Sequence, residues 1–240
     1  MQHVFYDLCV KNKTCFDACW EAGYNVVAED TEKSLSQALN LPEKVGQQRM
    51  SADSISVRMQ LPKTCVEKIR TVLSRLTVVL DSAKNLDALK VKLGRLRQYD
   101  LLAVVPTDAH TFQYACEKLD VDLISIDTSV ELNFQLKSNF VQTAIRRGVL
   151  FELQYSSTFL NCSSKKVFLS TAMAVVRVTR GGSHIVFSSG CTNPFDIRRP
   201  HDVKNLGNLC GIRNEVAKLA LMSSNPVLVV ARGGQRRVRL

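Results

Sequence analysis

Two carboxylates stand where a hydrolytic metal site would want them. Asp7 lies near the end of a short strand candidate, His3 to Leu8, and Glu152 lies within another, Val149 to Leu153. Acids at strand ends can hold a hard cation through oxygen, and a metal-bound water can then attack a phosphoester. Barrel sites of that kind gather several His and Asp ligands, often starting with His-x-His on the first strand. Here His3, His110, His184 and His201 are scattered, and His3 opens its strand while His184 precedes its own, both at the wrong end for a shared site. Glu152 also reads simply as a buried acid paired with a basic neighbour. Ser188 and Ser189 follow an apolar strand but lack the Gly-x-Ser-x-Gly elbow of a nucleophile. Cys191 sits in a basic loop without an assignable base. No catalytic residue, no metal ligand and no cofactor is assigned on this reading.

The cations carry more. The 240 residues have a formal net charge of +10. Residues 1–138 hold 17 Lys and Arg against 18 Asp and Glu, whereas residues 139–240 hold 15 against 4. The entire excess lies in the later part, which points to a polyanion, nucleic acid first and acidic lipid second. Arg198, Arg199 and Lys204 share one loop and helix. Arg177 and Arg180 stand three apart on one helical face, and Lys165 and Lys166 open that helix. Arg232, Arg236, Arg237 and Arg239 cluster beyond Gly233-Gly234. Arg75 precedes one strand, and Arg95 and Arg97 precede the next, which would place these three near the opposite rim. Aromatics are 7% of the chain and few adjoin the cations, so backbone and shape recognition of a folded polynucleotide is expected over base stacking.

The elements that must position these groups alternate. Eight short apolar runs read as strands: 3–8, 24–28, 76–80, 101–105, 121–126, 149–153, 185–187 and 227–230. Most are followed by amphipathic helices, at 14–22, 34–39, 82–97, 107–119, 138–147, 166–180, 202–207 and 214–222. Such alternation gives a parallel sheet, and eight units favour closure into a barrel. An open doubly wound sheet is the competitor, weakened because no Gly-x-Gly-x-x-Gly follows the first strand. The expected architecture is a single domain over 1–240 with a long surface excursion at 40–74, including an alternating run at 55–59 that suggests a hairpin. The last helix is expected to be short or absent. Eight cysteines without CxxC spacing read as reduced core residues. No signal peptide and no membrane span are expected.

In order and spacing, several segments resemble the p30-type, barrel-type protein subunit of nuclear and archaeal ribonuclease P, shared with ribonuclease MRP. They include Phe5-x-Asp7-Leu8, Gly23-Tyr24-x-Val26-Val27-Ala28, Arg75-Leu76-Thr77 and Tyr99-Asp100-x-x-Ala103-Val104. Leu119-Asp120-Val121-Asp122-Leu123 and Gly148-x-x-Phe151-Glu152-Leu153-x-Tyr155-Ser156 follow. The last are Ser188-Ser189 and Ile197-Arg198-x-Pro200-x-Asp202-Val203-x-Asn205-Leu206-x-x-Leu209-x-Gly211. The resemblance implies an α/β TIM-like barrel related to the polymerase-and-histidinol-phosphatase superfamily. It implies a non-catalytic subunit that binds ribonuclease P RNA and MRP RNA, beside a small partner subunit with an RNA-recognition fold. Precursor tRNA would lose its 5′ leader to the RNA, and the protein would reside in the nucleus and nucleolus. Cys9 departs from the acidic residue often found there, and a metal-dependent phosphoesterase of the same superfamily is the alternative.

Overall fold

The computed structural model describes residues 3–42, 70–159 and 161–238. Seven parallel strands form one sheet in sequence order: β1 (Tyr6–Val10), β2 (Val26–Ser34), β3 (Thr71–Leu80), β4 (Leu101–Pro106), β5 (Leu123–Ile126), β6 (Leu150–Gln154) and β7 (Ile185–Ser188). Among the described residues no eighth strand completes the ring, and β1 meets the end of β7 nearly directly. Val10 bridges Cys191, Lys11 N–H donates to Cys191 O at 3.0 Å, and Gly190 N–H donates to Cys9 O at 2.9 Å. Gly190 has φ +65°, and any β-carbon there would fall 2.5 Å from Gln154 Oε1, so this seam requires glycine.

Helices fill the crossovers: α1 (Phe16–Ala22), α2 (Leu35–Leu39), α3 (Leu86–Arg95), α4 (Ala109–Glu117), α5 (Ser138–Arg146), α6 (Cys162–Val178), α7 (Pro200–Leu209), α8 (Glu215–Ala220) and α9 (Ser224–Val238). Local chemistry sets their starts. Ser34 and Gln37 form a capping box on α2, Asp108 and Thr111 form another on α4, and Asn161 and Asn214 cap α6 and α8. α7 begins at Pro200, two residues earlier than expected, and Asp202 lies in its first turn.

The expected last strand at 227–230 is instead part of α9, which is fifteen residues long and neither short nor absent. A four-residue apolar run does not distinguish strand from helix. What decides is the longer spacing: Val229, Val230, Gly233 and Arg236 are all buried along one helical face. β2 and β3 also run longer than their apolar segments, because the polar residues Glu29–Ser34 and the mixed stretch Thr71–Arg75 continue the ladder. The hairpin expected at 55–59 lies outside the described residues, as do Cys65 and Arg239.

Successive side chains on a strand alternate between the bore and the helices. Tyr6, Leu8, Val26, Ala28, Leu73, Leu101, Ala103, Leu123, Leu150 and Val186 fill the lower bore, and Val229 and Val230 of α9 pack under them as a floor. The opposite faces make the larger core, where Val27, Leu76, Val104, Ile124, Phe151 and Phe187 meet Leu89, Phe112, Val141, Phe168 and Val203 of the helices. Cys9, Cys15, Cys19, Cys116, Cys191 and Cys210 are buried free thiols, while the free thiol of Cys162 is exposed.

Candidate nucleic-acid interface

The upper bore is charged. Arg75 of β3 is wholly buried. Its Nη1 and Nη2 donate to the two carboxylate oxygens of Glu152 at 2.5 and 2.6 Å, its Nη1 also donates to Leu8 O at 2.7 Å, and its Nε donates to Thr77 Oγ1 at 2.9 Å. Asp30 of β2 stands 3.3 Å from Arg75 Nε and accepts from Thr77. Ser188 donates to Glu152 Oε1 at 2.7 Å. Burial pushes the Glu152 carboxyl upward, but the Arg75 guanidinium and the hydrogen bonds from Arg75 and Ser188 overcome this and hold it below its ordinary range. Arg75 therefore does not reach the surface as expected. It is the basic neighbour that Glu152 needed, and the signal was the inward alternation of Leu73, Arg75 and Thr77.

Asp7 points to the other side of its strand. Its Oδ1 accepts from Ser189 N–H at 3.0 Å and Cys9 N–H at 3.3 Å, whereas its buried Oδ2 has no partner. Burial raises this carboxyl to about 6, against the lowering effect of Ser189 and Cys9. Its charge acts on Cys15, Cys19, Cys191 and Tyr155. Asp7 and Glu152 thus do not converge on one open site. Among the described residues, no three His, Cys, Asp or Glu side chains are grouped to hold a metal ion.

Above the bore lies an open cavity of about 590 Å³, bounded by Val79, Val105 and Pro106 and by loops carrying Asp127, Glu131, Ser156, Thr192 and Asp196. Its basic residue Lys11 pairs with Glu32 at 2.8 Å. A mouth with Glu32, Asp127, Glu131 and Asp196 disfavours phosphate within it.

The cations divide by place. Arg232, Arg236 and Arg237 lie on α9 against the barrel floor. Arg232 donates to Asp120 at 2.8 Å, Arg236 to Asp122 at 3.0 Å and Arg237 to Asp100 at 2.5 Å. Arg236 is 6% exposed, so these are anchors of the floor and not a free terminal cluster. Lys204 pairs with Glu215 at 2.8 Å; Lys204 and Lys218 hold the Glu215 carboxyl down to about 2. Lys165, Lys166, Arg177 and Arg180 are exposed on or beside α6, and Arg95, Arg97 and Arg199 are exposed too.

One aromatic ring meets this charge, against expectation, and a second aromatic residue lies in the same loop. The Arg198 guanidinium lies 4.0 Å from the centre of the Phe159 ring, and Phe159 packs edge-on against Tyr155. Arg198 Nη1 donates to Phe195 O at 2.7 Å and to Ile197 O at 3.1 Å. Phe195 is 86% exposed. The legible signal was an aromatic in a polar loop three residues before Arg198-Arg199.

The architecture is a parallel αβ barrel of seven strands, nearly closed. It superposes on an amidohydrolase from Pseudomonas aeruginosa with a TM-score of 0.52 at 9% identity, over 97% of both chains. It superposes also on a chain of the cryo-EM structure of archaeal ribonuclease P with mature tRNA, with a TM-score of 0.60 at 14% identity, over 90% of this chain and 86% of that one. The family described as RNase P subunit p30 matches residues 3–238, and this chain belongs to it. Mouse ribonuclease P protein subunit p30 is 34% identical over 166 residues, which are 69% of this chain and 61% of the mouse protein. The Arabidopsis thaliana protein GAMETOPHYTE DEFECTIVE 1 is 38% identical over 148 residues, 62% of this chain but 25% of that protein. A probable ribonuclease P protein subunit 3 of Schizosaccharomyces pombe is 31% identical over 66% of this chain and 65% of its own length. The matched region thus spans between a quarter and about two thirds of these relatives.

Proposed function

We propose that this chain is an RNA-binding protein subunit of the ribonuclease P particle, with no chemistry of its own. The observation that carries the reading is the family match across residues 3–238. In this role the protein supports RNA-catalysed removal of the 5′ leader from precursor tRNA, in the nucleus and nucleolus. It contacts ribonuclease P RNA and MRP RNA directly and precursor tRNA through the particle, and it docks a small subunit of RNA-recognition fold. The internal pairing of Arg75, Glu152 and Asp30 supports a bore whose charges are spent on one another, and the exposed cations of α6 with Arg199 support phosphate contacts on the outside. No helix among the described residues is long and apolar enough to cross a membrane.

The test is affinity capture of the tagged full chain from cells, followed by sequencing of the retained RNA. Enrichment of one or both particle RNAs, with accumulation of 5′-extended tRNA on depletion, is the expected result. Retention of unrelated RNA would overturn the reading. So would phosphoester hydrolysis by the purified chain with manganese or zinc that Asp7→Ala abolishes.

A further inference from the structure

We propose that Phe195, with Arg198 and Arg199, is a stacking site for an unpaired nucleotide at the rim of the barrel mouth. The proposal rests on the RNA-binding reading and specifies what part of an RNA this loop takes. Phe195 is the middle residue of a short 3-10 turn, Pro194–Asp196. That turn is fixed at both ends. Asn193 Oδ1 accepts the Phe195 N–H at 3.1 Å, and the Phe195 carbonyl accepts from Arg198 at 2.7 Å. A large aromatic ring is thus held 86% in water on a backbone that is not free to fold it inward. An isolated exposed apolar residue needs no explanation on its own. The second observation is what surrounds this one. The Arg198 guanidinium is itself held 4.0 Å from the centre of the Phe159 ring, a half-exposed ring braced by buried Tyr155, and Tyr155 in turn accepts the Arg198 N–H at 3.3 Å. Arg199 is exposed beside it.

A planar ring whose own carbonyl is held by the Arg198 guanidinium, with exposed Arg199 next along the chain, suits a base and its phosphate. Every base has a π-face, and the site reads no base edge, so the recognition is tolerant of sequence. A paired base inside a duplex cannot offer its face, so the ligand is single-stranded, at a bulge, loop or end. Charge sets the direction of the strand. Asp196 faces the cavity, which also holds Glu32, Asp127 and Glu131, so the phosphate lies on the outer side with Arg198 and Arg199. The other occupant for an exposed Phe, a hydrophobic pocket of a protein partner, would not account for the two arginines that follow in the same loop.

The experiment is fluorescence anisotropy with the full chain, a short labelled oligoadenylate and an RNA duplex of equal length. Phe195→Ala is expected to weaken the single strand about five- to tenfold and leave the duplex unchanged, with the salt dependence of both preserved. Phe195→Trp is expected to restore binding and to show fluorescence quenched by the bound base. Phe195 is on the surface, so neither change threatens folding. Equal affinity of wild type and Phe195→Ala for the oligoadenylate would overturn the stacking site alone. Rescue by Phe195→Leu as fully as by Phe195→Trp would also overturn it, in favour of an apolar protein contact. If the wild type bound neither RNA, the RNA-binding reading would fall as well.

Discussion

Arg75 and Glu152 share two hydrogen bonds where neither has any exposed surface. A buried pair of this kind contributes little net stability, but removing one partner strands the other charge. Arg75→Ala is therefore expected to destabilise the fold by about 3 to 5 kcal/mol, read by urea denaturation. Joint replacement by Arg75→Met and Glu152→Leu should recover much of that loss. Asp7 makes the opposite case. Its folded carboxyl titrates near 6 against an ordinary 3.8, so the folded state holds the proton more tightly. The sign follows: the contribution is intact below about pH 4, is lost as pH rises through about 6, and costs about 3 kcal/mol above that. Asp7→Asn keeps an acceptor for Ser189 and Cys9 and removes the charge. It is expected to gain about 1 to 2 kcal/mol at about pH 7.5 and nothing at about pH 4, by denaturation at both.

Among the elements, α9 shows what sequence patterns resolve and what they leave open. The strand–helix alternation was legible through β7, because each unit carries its own apolar run and most carry a cap or glycine stop. α9 was not, since Pro226, a β-branched run and Gly233-Gly234 imitate a strand and a break. Gly233 serves close approach instead. A β-carbon there would lie 2.3 Å from the Asp100 carbonyl oxygen and crowd Asp122. Gly233→Ala is expected to lift the helix and cost about 3 kcal/mol, seen as a lower thermal midpoint, while RNA affinity of the folded fraction is unchanged. The same long-range pairing hid the sites. Sequence showed that Arg75, Arg232, Arg236 and Arg237 are basic, but their acids lie between 45 and 137 residues away. Phe159 and Phe195 were missed because neither lies within a run of cations.

At the scale of the whole molecule, the positive excess of the later chain is partly consumed indoors. RNA affinity is expected to fall linearly as log salt rises. Arg199→Ala should reduce that slope by about one, whereas Arg236→Ala, whose charge is spent on Asp122, should lower stability and leave the slope alone. Filter binding across a salt series with parallel circular dichroism checks both. The order of assembly carries a further consequence. On the ribosome all seven strands emerge before the helix that corks them, so the nascent polypeptide drags a wetted, greasy bore until Arg232, Arg236 and Arg237 arrive to latch it. Chaperone dependence of synthesis should accordingly centre on this late window, and ribosome-held intermediates that stop short of Ser224 should be the ones that stick.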